Sequence, residues 1–306
     1  MKLHHIIEAQ QFDVPTLQQL FEVTKKMEQL VARGGMADFS NRIMVALFYE
    51  PSTRTRFSFE TAMQRLGGRV VSTENAAEFS SVAKGETLED TIRILNGYAD
   101  VIVIRHYEVG AAKRAAAVSR VPVINAGDGV GQHPTQALLD LYTIRKEIGA
   151  IDGLRIAMVG DLAQGRTVRS LAYLLSKFRD IKLYFVAPPE LKMKEDILAH
   201  LRERNIPYVE ETVLEKVLPE VQVVYQTRIQ KERFGDRIAD YEKCRGVYVI
   251  NQECLRLMKP DAIIMHPLPR LDEITREVDS DPRAAYFRQA QNGLYVRMAL
   301  LSLVLG

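Results

Sequence analysis

Six short polar clusters in this sequence bring together side chains that are able to do chemistry, and each follows directly on an apolar run. They are Glu50-Pro51-Ser52-Thr53-Arg54-Thr55-Arg56, Arg105-His106, the stretch from Gly127 to Gln136 that contains His133, Gly160-Asp161 with Gly165-Arg166-Thr167, Thr227-Arg228-Ile229-Gln230, and His266-Pro267-Leu268-Pro269-Arg270. Hydroxyls and arginines in the first turn of a helix combine open backbone N–H groups, the positive end of the helix dipole and guanidinium forks, a set that suits phosphate. Ser52–Arg56 has this make-up. The same run also reads as Ser52 or Thr53 capping a helix with the arginines in solvent; the arginines in the other clusters favour phosphate. No Gly-x-x-x-x-Gly-Lys-Ser/Thr run occurs, so a nucleoside triphosphate loop is not expected.

His133 stands just before Pro134, at the expected start of a helix, where a neutral imidazole is favoured and its use would be to donate to an oxygen. A turn histidine bonded locally reads equally simply. Gln136 sits one turn further on. The glycines at 127, 129 and 131 and the run Val159–Arg166 only mimic a dinucleotide fingerprint, and plain turns explain both. Ser80-Ser81-Val82-Ala83-Lys84-Gly85 reads as a polar loop with a solvated lysine, followed by a Thr87-x-x-Asp90 helix start. No His/Cys/carboxylate cluster has metal-ligand spacing, so no metal and no cofactor are expected. No Gly-x-Ser-x-Gly elbow occurs and neither cysteine lies in a cluster, which disfavours a covalent nucleophile.

The elements that must position these clusters alternate. Strands are expected at Ile43–Tyr49, Arg69–Thr73, Asp100–Arg105, Val121–Asn125, Leu154–Gly160, Ile181–Ala187, Val221–Thr227 and Ala262–His266. Most are near-continuous apolar runs, as parallel strands buried on both faces read. Helical patterns at Phe57–Leu66, Leu88–Tyr98, Pro134–Ile148, Val168–Phe178 and Leu191–Arg204 lie between them. The fold class is therefore α/β, with two open parallel-sheet domains and ligands in the cleft at the strands' carboxyl ends. The break at Gly149–Gly153 predicts domains at 1–149 and 150–283. A last helical pattern, interrupted at Asn292-Gly293, is expected to pack back on the first domain over 284–306.

A length of 306 residues suits two domains. Forty-one Lys+Arg against 39 Asp+Glu leave a net charge of +2, which gives no nucleic-acid or membrane footprint. Two cysteines, Cys244 and Cys254, cannot form a disulfide framework or a four-ligand zinc site. Without a signal-like or membrane-spanning run, a cytoplasmic protein is expected.

Six segments resemble, in order and spacing, the catalytic chains of the aspartate carbamoyltransferase family, over essentially the whole length. They are Phe48–Glu60 (FYEPSTRTRFSFE), Ser80–Thr91 (SSVAKGETLEDT), Asn125–Thr135 (NAGDGVGQHPT), Met158–Thr167 (MVGDLAQGRT), Thr227–Arg233 (TRIQKER) and His266–Arg270 (HPLPR). The resemblance implies transfer of a carbamoyl group from carbamoyl phosphate to the amine of L-aspartate, giving N-carbamoyl-L-aspartate and phosphate, the committed step of pyrimidine synthesis. It implies that Ser52, Thr53, Arg54, Thr55 and Arg105 bind carbamoyl phosphate, with His133 and Gln136 at the carbamoyl end. The carbonyls of Leu268 and Pro269 would accept from the carbamoyl NH2, and Arg166, Arg228 and Gln230 would hold the aspartate carboxylates. Ser80 and Lys84 would reach into a neighbouring subunit's site, which makes a homotrimer the minimal active unit, with regulatory chains or another pyrimidine-pathway enzyme as further partners. Glu50 would tie the domains together by pairing with Arg166 and Arg233.

The chemistry implied is coherent. Two anionic substrates repel at short range, and converging guanidinium groups offset that repulsion. Thr55, Arg105 and His133 would serve as oxyanion donors, with the leaving phosphate able to take the amine proton. An ornithine carbamoyltransferase is the nearest rival, but that family carries His-Cys-Leu-Pro and Ser-Met-Gly runs, whereas this chain has His266-Pro267-Leu268-Pro269 and no Ser-Met-Gly. Arg228 would also repel an ornithine ammonium. A nicotinamide-dependent dehydrogenase lacks its glycine fingerprint here, and a non-catalytic relative should have lost part of the arginine set.

Overall fold

The structure, a computed structural model, describes residues 3–76, 85–230, 234–235 and 238–306. Two compact units divide the chain: residues up to Leu139 together with Gln291–Gly306, and Asp140–Ala290. Each is a parallel sheet flanked by helices, the architecture expected from the alternating pattern.

The first sheet contains β1 (Ile43–Phe48), β2 (Arg69–Thr73), β3 (Val101–His106) and β4 (Val123–Asp128) in the order β2-β1-β3-β4, all parallel. β3 and β4 are buried along their whole length and β1 along all but its first residue, as apolar runs covered on both faces require. Edge strand β2 is mostly exposed. The helices of this unit are α1 (Val14–Ala32), α2 (Thr53–Arg65), α3 (Leu88–Leu95), α4 (Ala111–Val118) and the start of α5 (Pro134–Ile148). α1 starts where the Asp13 carboxylate accepts from the Thr16 N–H at 2.8 Å, and it buries Leu17, Leu20, Phe21 and Thr24, one helical stripe. Thr87 caps α3 by accepting from the Asp90 N–H, as the Thr-x-x-Asp spacing predicts.

The second sheet runs β7-β6-β5-β8-β9, again all parallel. Its strands are β5 (Arg155–Val159), β6 (Lys182–Val186), β7 (Tyr208–Glu211), β8 (Val223–Gln226) and β9 (Ile263–Met265). α6 (Arg166–Leu175), α7 (Glu195–Glu203), α8 (Ile238–Cys244) and α9 (Gln252–Leu257) accompany it. The core here includes Val159, Val186, Val224, Ile250, Ile264 and Tyr286.

Three features depart from the pattern read in the sequence. β7 is a ninth strand, and as a half-exposed edge strand of Tyr-Val-Glu-Glu it offers no apolar run to detect. The last helix, α10 (Tyr286–Leu305), passes through Asn292-Gly293 without a break. Gly293 is there for packing: a Cβ on it would lie 2.6 Å from the Arg297 guanidinium and 3.1 Å from Leu139. The division between units falls inside α5 and α10 rather than at the Gly149–Gly153 turn and residue 284. A helix is one rigid rod of backbone bonds, so a turn beyond its end need not mark where packing changes sides.

Gly160 ends β5 with φ +109°, and a Cβ there would meet the Thr227 carbonyl oxygen at 2.5 Å. Only glycine fits, because the left-handed backbone and the close approach to neighbouring backbone both exclude a side chain. Gly160→Ala should lower the stability of the second unit by about 1–3 kcal/mol, the cost of a strained backbone conformation. Calorimetry of the variant against the parent checks this, and an unchanged melting profile would contradict it.

Candidate active site

In the first sheet the order β2-β1-β3-β4 places the topological switch between β1 and β3, since the chain leaves β1 towards β2 on one side and β3 lies on the other. Ligand crevices of open α/β sheets form at such points, outside the carboxyl ends. Here α2 begins after β1, Arg105 is the last residue but one of β3 and the 129–133 loop follows β4, so Ser52–Thr55, Arg105 and His133 share one edge of the sheet. Phe48 and Arg105 are register partners, and the Tyr49 N–H extends the pairing to the Arg105 carbonyl at 2.8 Å.

Ser52 occupies the N-cap position of α2, yet its hydroxyl makes no capping bond. Thr55 is buried, while Thr53 and Arg54 are exposed. Arg56 is tied back to Glu74 at 3.1 Å and Glu60 at 3.8 Å, which makes it structural.

Arg105 is 8% exposed. Its guanidinium donates to the Ala126 carbonyl at 3.2 Å and pairs with Glu50 at 2.7 Å, whereas its Nε lacks a hydrogen-bond partner among the described residues. Burial pulls the Arg105 pKa down and Glu50 partly restores it. The Glu50–Arg105 pair was not anticipated from sequence. It fills the edge of the sheet with one carboxylate where an anionic ligand would supply more charge and more acceptors.

Asp128 organises the loop leading to His133. Its carboxylate accepts from the Gln132 N–H at 2.6 Å and the Gly110 N–H at 2.9 Å. His133 is buried and its carbonyl accepts from the N–H groups of Gln136 and Ala137, so it opens α5 as its position before Pro134 predicts. Gln136 is buried on the first turn. His106, next to Arg105, has a different use. Its Nδ1 accepts from the Glu108 N–H at 3.0 Å and its ring lies 4.4 Å from that of Tyr49.

In the second sheet the order β7-β6-β5-β8-β9 puts the switch between β5 and β8. Arg166 is the first residue of α6, after β5, and Arg228 and Gln230 follow β8; all three are half-buried. The Thr227 N–H and hydroxyl both donate to the Val159 carbonyl, at 2.9 and 2.8 Å, fixing the two strand ends side by side. Arg228 lines a pocket with Gln226, Tyr241, Arg245, Asp272 and Glu273. Beyond β9 the chain turns through Leu268, at φ +52°, and a cis bond to Pro269. Arg270, a member of the same cluster, is bound to Asp279 and lies over the Tyr286 ring at 5.1 Å, so its role is structural. Ser80, Lys84 and Arg233 lie outside the described residues.

Asp128 and His266 stand in the polar clusters of the sequence without a role of their own, and Glu273 stands outside them. Each acts by holding backbone, and no periodicity or charge pattern marks such a role.

Comparison with known proteins gives this arrangement a family. Residues 4–146 match the model for the aspartate/ornithine carbamoyltransferase carbamoyl-P binding domain, and residues 152–304 that for the Asp/Orn binding domain. The chain belongs to the aspartate/ornithine carbamoyltransferase family. It is 60% identical to aspartate carbamoyltransferase 1, chloroplastic, of Pisum sativum, over 99% of this chain and 79% of that protein. It is 50% identical to the aspartate carbamoyltransferase catalytic subunit of Methanocaldococcus jannaschii, over 98% of this chain and 97% of the other. The Trypanosoma cruzi aspartate transcarbamoylase in complex with carbamoyl phosphate and aspartate superposes with a TM-score of 0.94 at 42% identity, covering 100% of this chain and 98% of that one. Within the family the activity is therefore that of an aspartate carbamoyltransferase, not an ornithine carbamoyltransferase.

Burial lowers the pKa of His5, His106, His200 and His266 from an ordinary value of 6.5. Unfolding frees these rings to take protons near pH 6.5, so the unfolded chain binds more protons and folding stability falls as pH drops below that value. Melting temperature should decline from pH 7.5 to 5.5. A flat or rising profile in that window, measured by calorimetry at constant ionic strength, would contradict the assignment.

Proposed function

We propose that the carboxyl ends of the two sheets carry the substrate-binding residues, with roles divided residue by residue. Ser52, Thr53, Arg54, Thr55 and Arg105 bind carbamoyl phosphate, its phosphate on the α2 N-terminus. His133 and Gln136 take the carbamoyl end, and the Leu268 and Pro269 carbonyls accept from its NH2. Arg166, Arg228 and Gln230 hold the aspartate carboxylates. Ser80 and Lys84 come from a neighbouring subunit, so the active form is a homotrimer with shared sites, open to regulatory chains or another pyrimidine-pathway enzyme. The chain works in the aqueous cytoplasm; no helix among the described residues is long and apolar enough to cross a membrane.

The observation carrying this reading is Arg105, a buried guanidinium beside the uncapped start of α2 at the switch point of the first sheet. The aspartate amine attacks the carbonyl carbon, a C–N bond forms, the C–O bond to phosphate breaks, and the departing phosphate takes a proton from the amine. Negative charge on the carbonyl oxygen during attack is met by Thr55, Arg105 and His133, and each well-placed donor contributes about 3–4 kcal/mol. His133, at a helix N-terminus, acts as a neutral donor rather than a base. Carboxylates of aspartate and the phosphate repel one another, and the fixed guanidinium groups offset this without the reorganisation that water would need.

Arg54→Ala should lower kcat by about 10²–10³-fold, as loss of a charged donor does, with an unchanged melting temperature because the side chain is exposed. Parent-like turnover of carbamoyl phosphate and aspartate would remove Arg54 from the site. Mixing inactive Arg54→Ala and Lys84→Ala chains and reassembling them should restore part of the activity. Mixed oligomers that stay inactive would contradict a shared site.

A further inference from the structure

The turn that follows β9 rests on one histidine. His266 is 2% exposed, and its Nδ1 accepts a hydrogen bond from the Leu268 N–H at 2.7 Å. That nitrogen therefore carries no proton, so Nε2 is protonated and donates to Glu273 Oε1 at 2.8 Å. The second Glu273 oxygen accepts from the Leu271 N–H at 3.1 Å, so one carboxylate holds both the ring and the far end of the turn.

The other flank of His266 is equally determined. Its N–H donates to Gln289 Oε1 at 2.8 Å, Gln289 Nε2 donates to Asp140 Oδ1 at 2.6 Å, and the Tyr225 hydroxyl donates to Asp140 Oδ2 at 2.6 Å. All five side chains are buried. Because Asp140 and Glu273 are acceptors at both oxygens, every donor direction between them is fixed, including which end of the Gln289 amide faces His266. Burial, reinforced by Arg270 and Arg228, keeps His266 neutral against the pull of Glu273. Burial disfavours the Glu273 carboxylate, but the His266 and Leu271 hydrogen bonds outweigh it and hold its pKa low. Leu268 sits in the left-handed region, where a side chain needs surrounding contacts to stay.

We propose that His266 and Glu273 are positioning residues: Glu273 locks the His266 ring as its Nε2–H tautomer, and that ring aims the Leu268 and Pro269 carbonyls at the carbamoyl NH2. This rests on the functional reading above for what those carbonyls bind. Neither side chain touches substrate. Their contribution is to direct two backbone acceptors that distinguish carbamoyl phosphate from phosphate alone.

Titration calorimetry of the full chain with carbamoyl phosphate and, separately, inorganic phosphate tests this. Glu273→Gln has one acceptor oxygen for two donors, so its NH2 confronts either Nε2–H or the Leu271 N–H. His266→Gln removes the acceptor at Nδ1, whereas His266→Asn retains one near it. Glu273→Gln and His266→Gln should weaken carbamoyl phosphate binding about tenfold, the effect of one lost oriented hydrogen bond, and leave phosphate binding within about twofold. His266→Asn should recover most of the loss. Unchanged carbamoyl phosphate affinity in both variants, or equal weakening towards both ligands, overturns the inference. If His266→Gln does not fold, Glu273→Gln against His266→Asn makes the same comparison. A parent chain that does not bind carbamoyl phosphate refutes the functional reading, and the inference falls with it.

Discussion

Arg105 carries a full charge to the end of a fully buried strand, where little water reaches it. Desolvation of a guanidinium is costly unless acceptors replace the lost water. Glu50 and the Ala126 carbonyl supply part of that replacement. β1 and β3 are held in register to bring those partners to the same level, and the loop that closes β4 is stapled by Asp128. The sheet edge is in effect built to keep one cation dry and still incompletely satisfied, a state that favours an anion with several oxygens.

The second unit solves a related problem with backbone. Its switch point is fixed by Thr227 reaching across to Val159, and Gly160 allows the approach because it has no side chain. Around this rigid point the polar side chains differ in what they can do. Arg228 remains in a pocket, whereas Arg270 is absorbed by Asp279 and the Tyr286 ring. A strand-end arginine is thus not a site residue by type alone; its local carboxylates and rings decide.

This distinction marks the limit of what the sequence shows. The apolar runs of β1, β3, β5, β8 and β9 are legible because parallel strands are covered on both faces, and α5 is legible from Pro134 to Ile148 by its period and its proline start. β7 is not, because a short, half-exposed edge strand ending in two glutamates resembles a loop. Gly293 reads as a breaker locally, but the helix continues because neighbouring side chains need the space. In the clusters, composition and position identify Arg54, Arg105 and Arg228 together with Arg56 and Arg270. Sorting them needs the partners, and those partners are as far away in sequence as Glu74 is from Arg56. Glu273 is harder still, since a carboxylate that directs a histidine has no spacing rule.

The Leu3 N–H donates to the Leu303 carbonyl at 3.1 Å, inside the unit that α10 rejoins. A polypeptide entering this fold at one of those residues and leaving at the other does so at almost the same point in space. Such a body can be spliced into a larger polypeptide as a cassette, through a narrow gap in its host, with neither sheet disturbed.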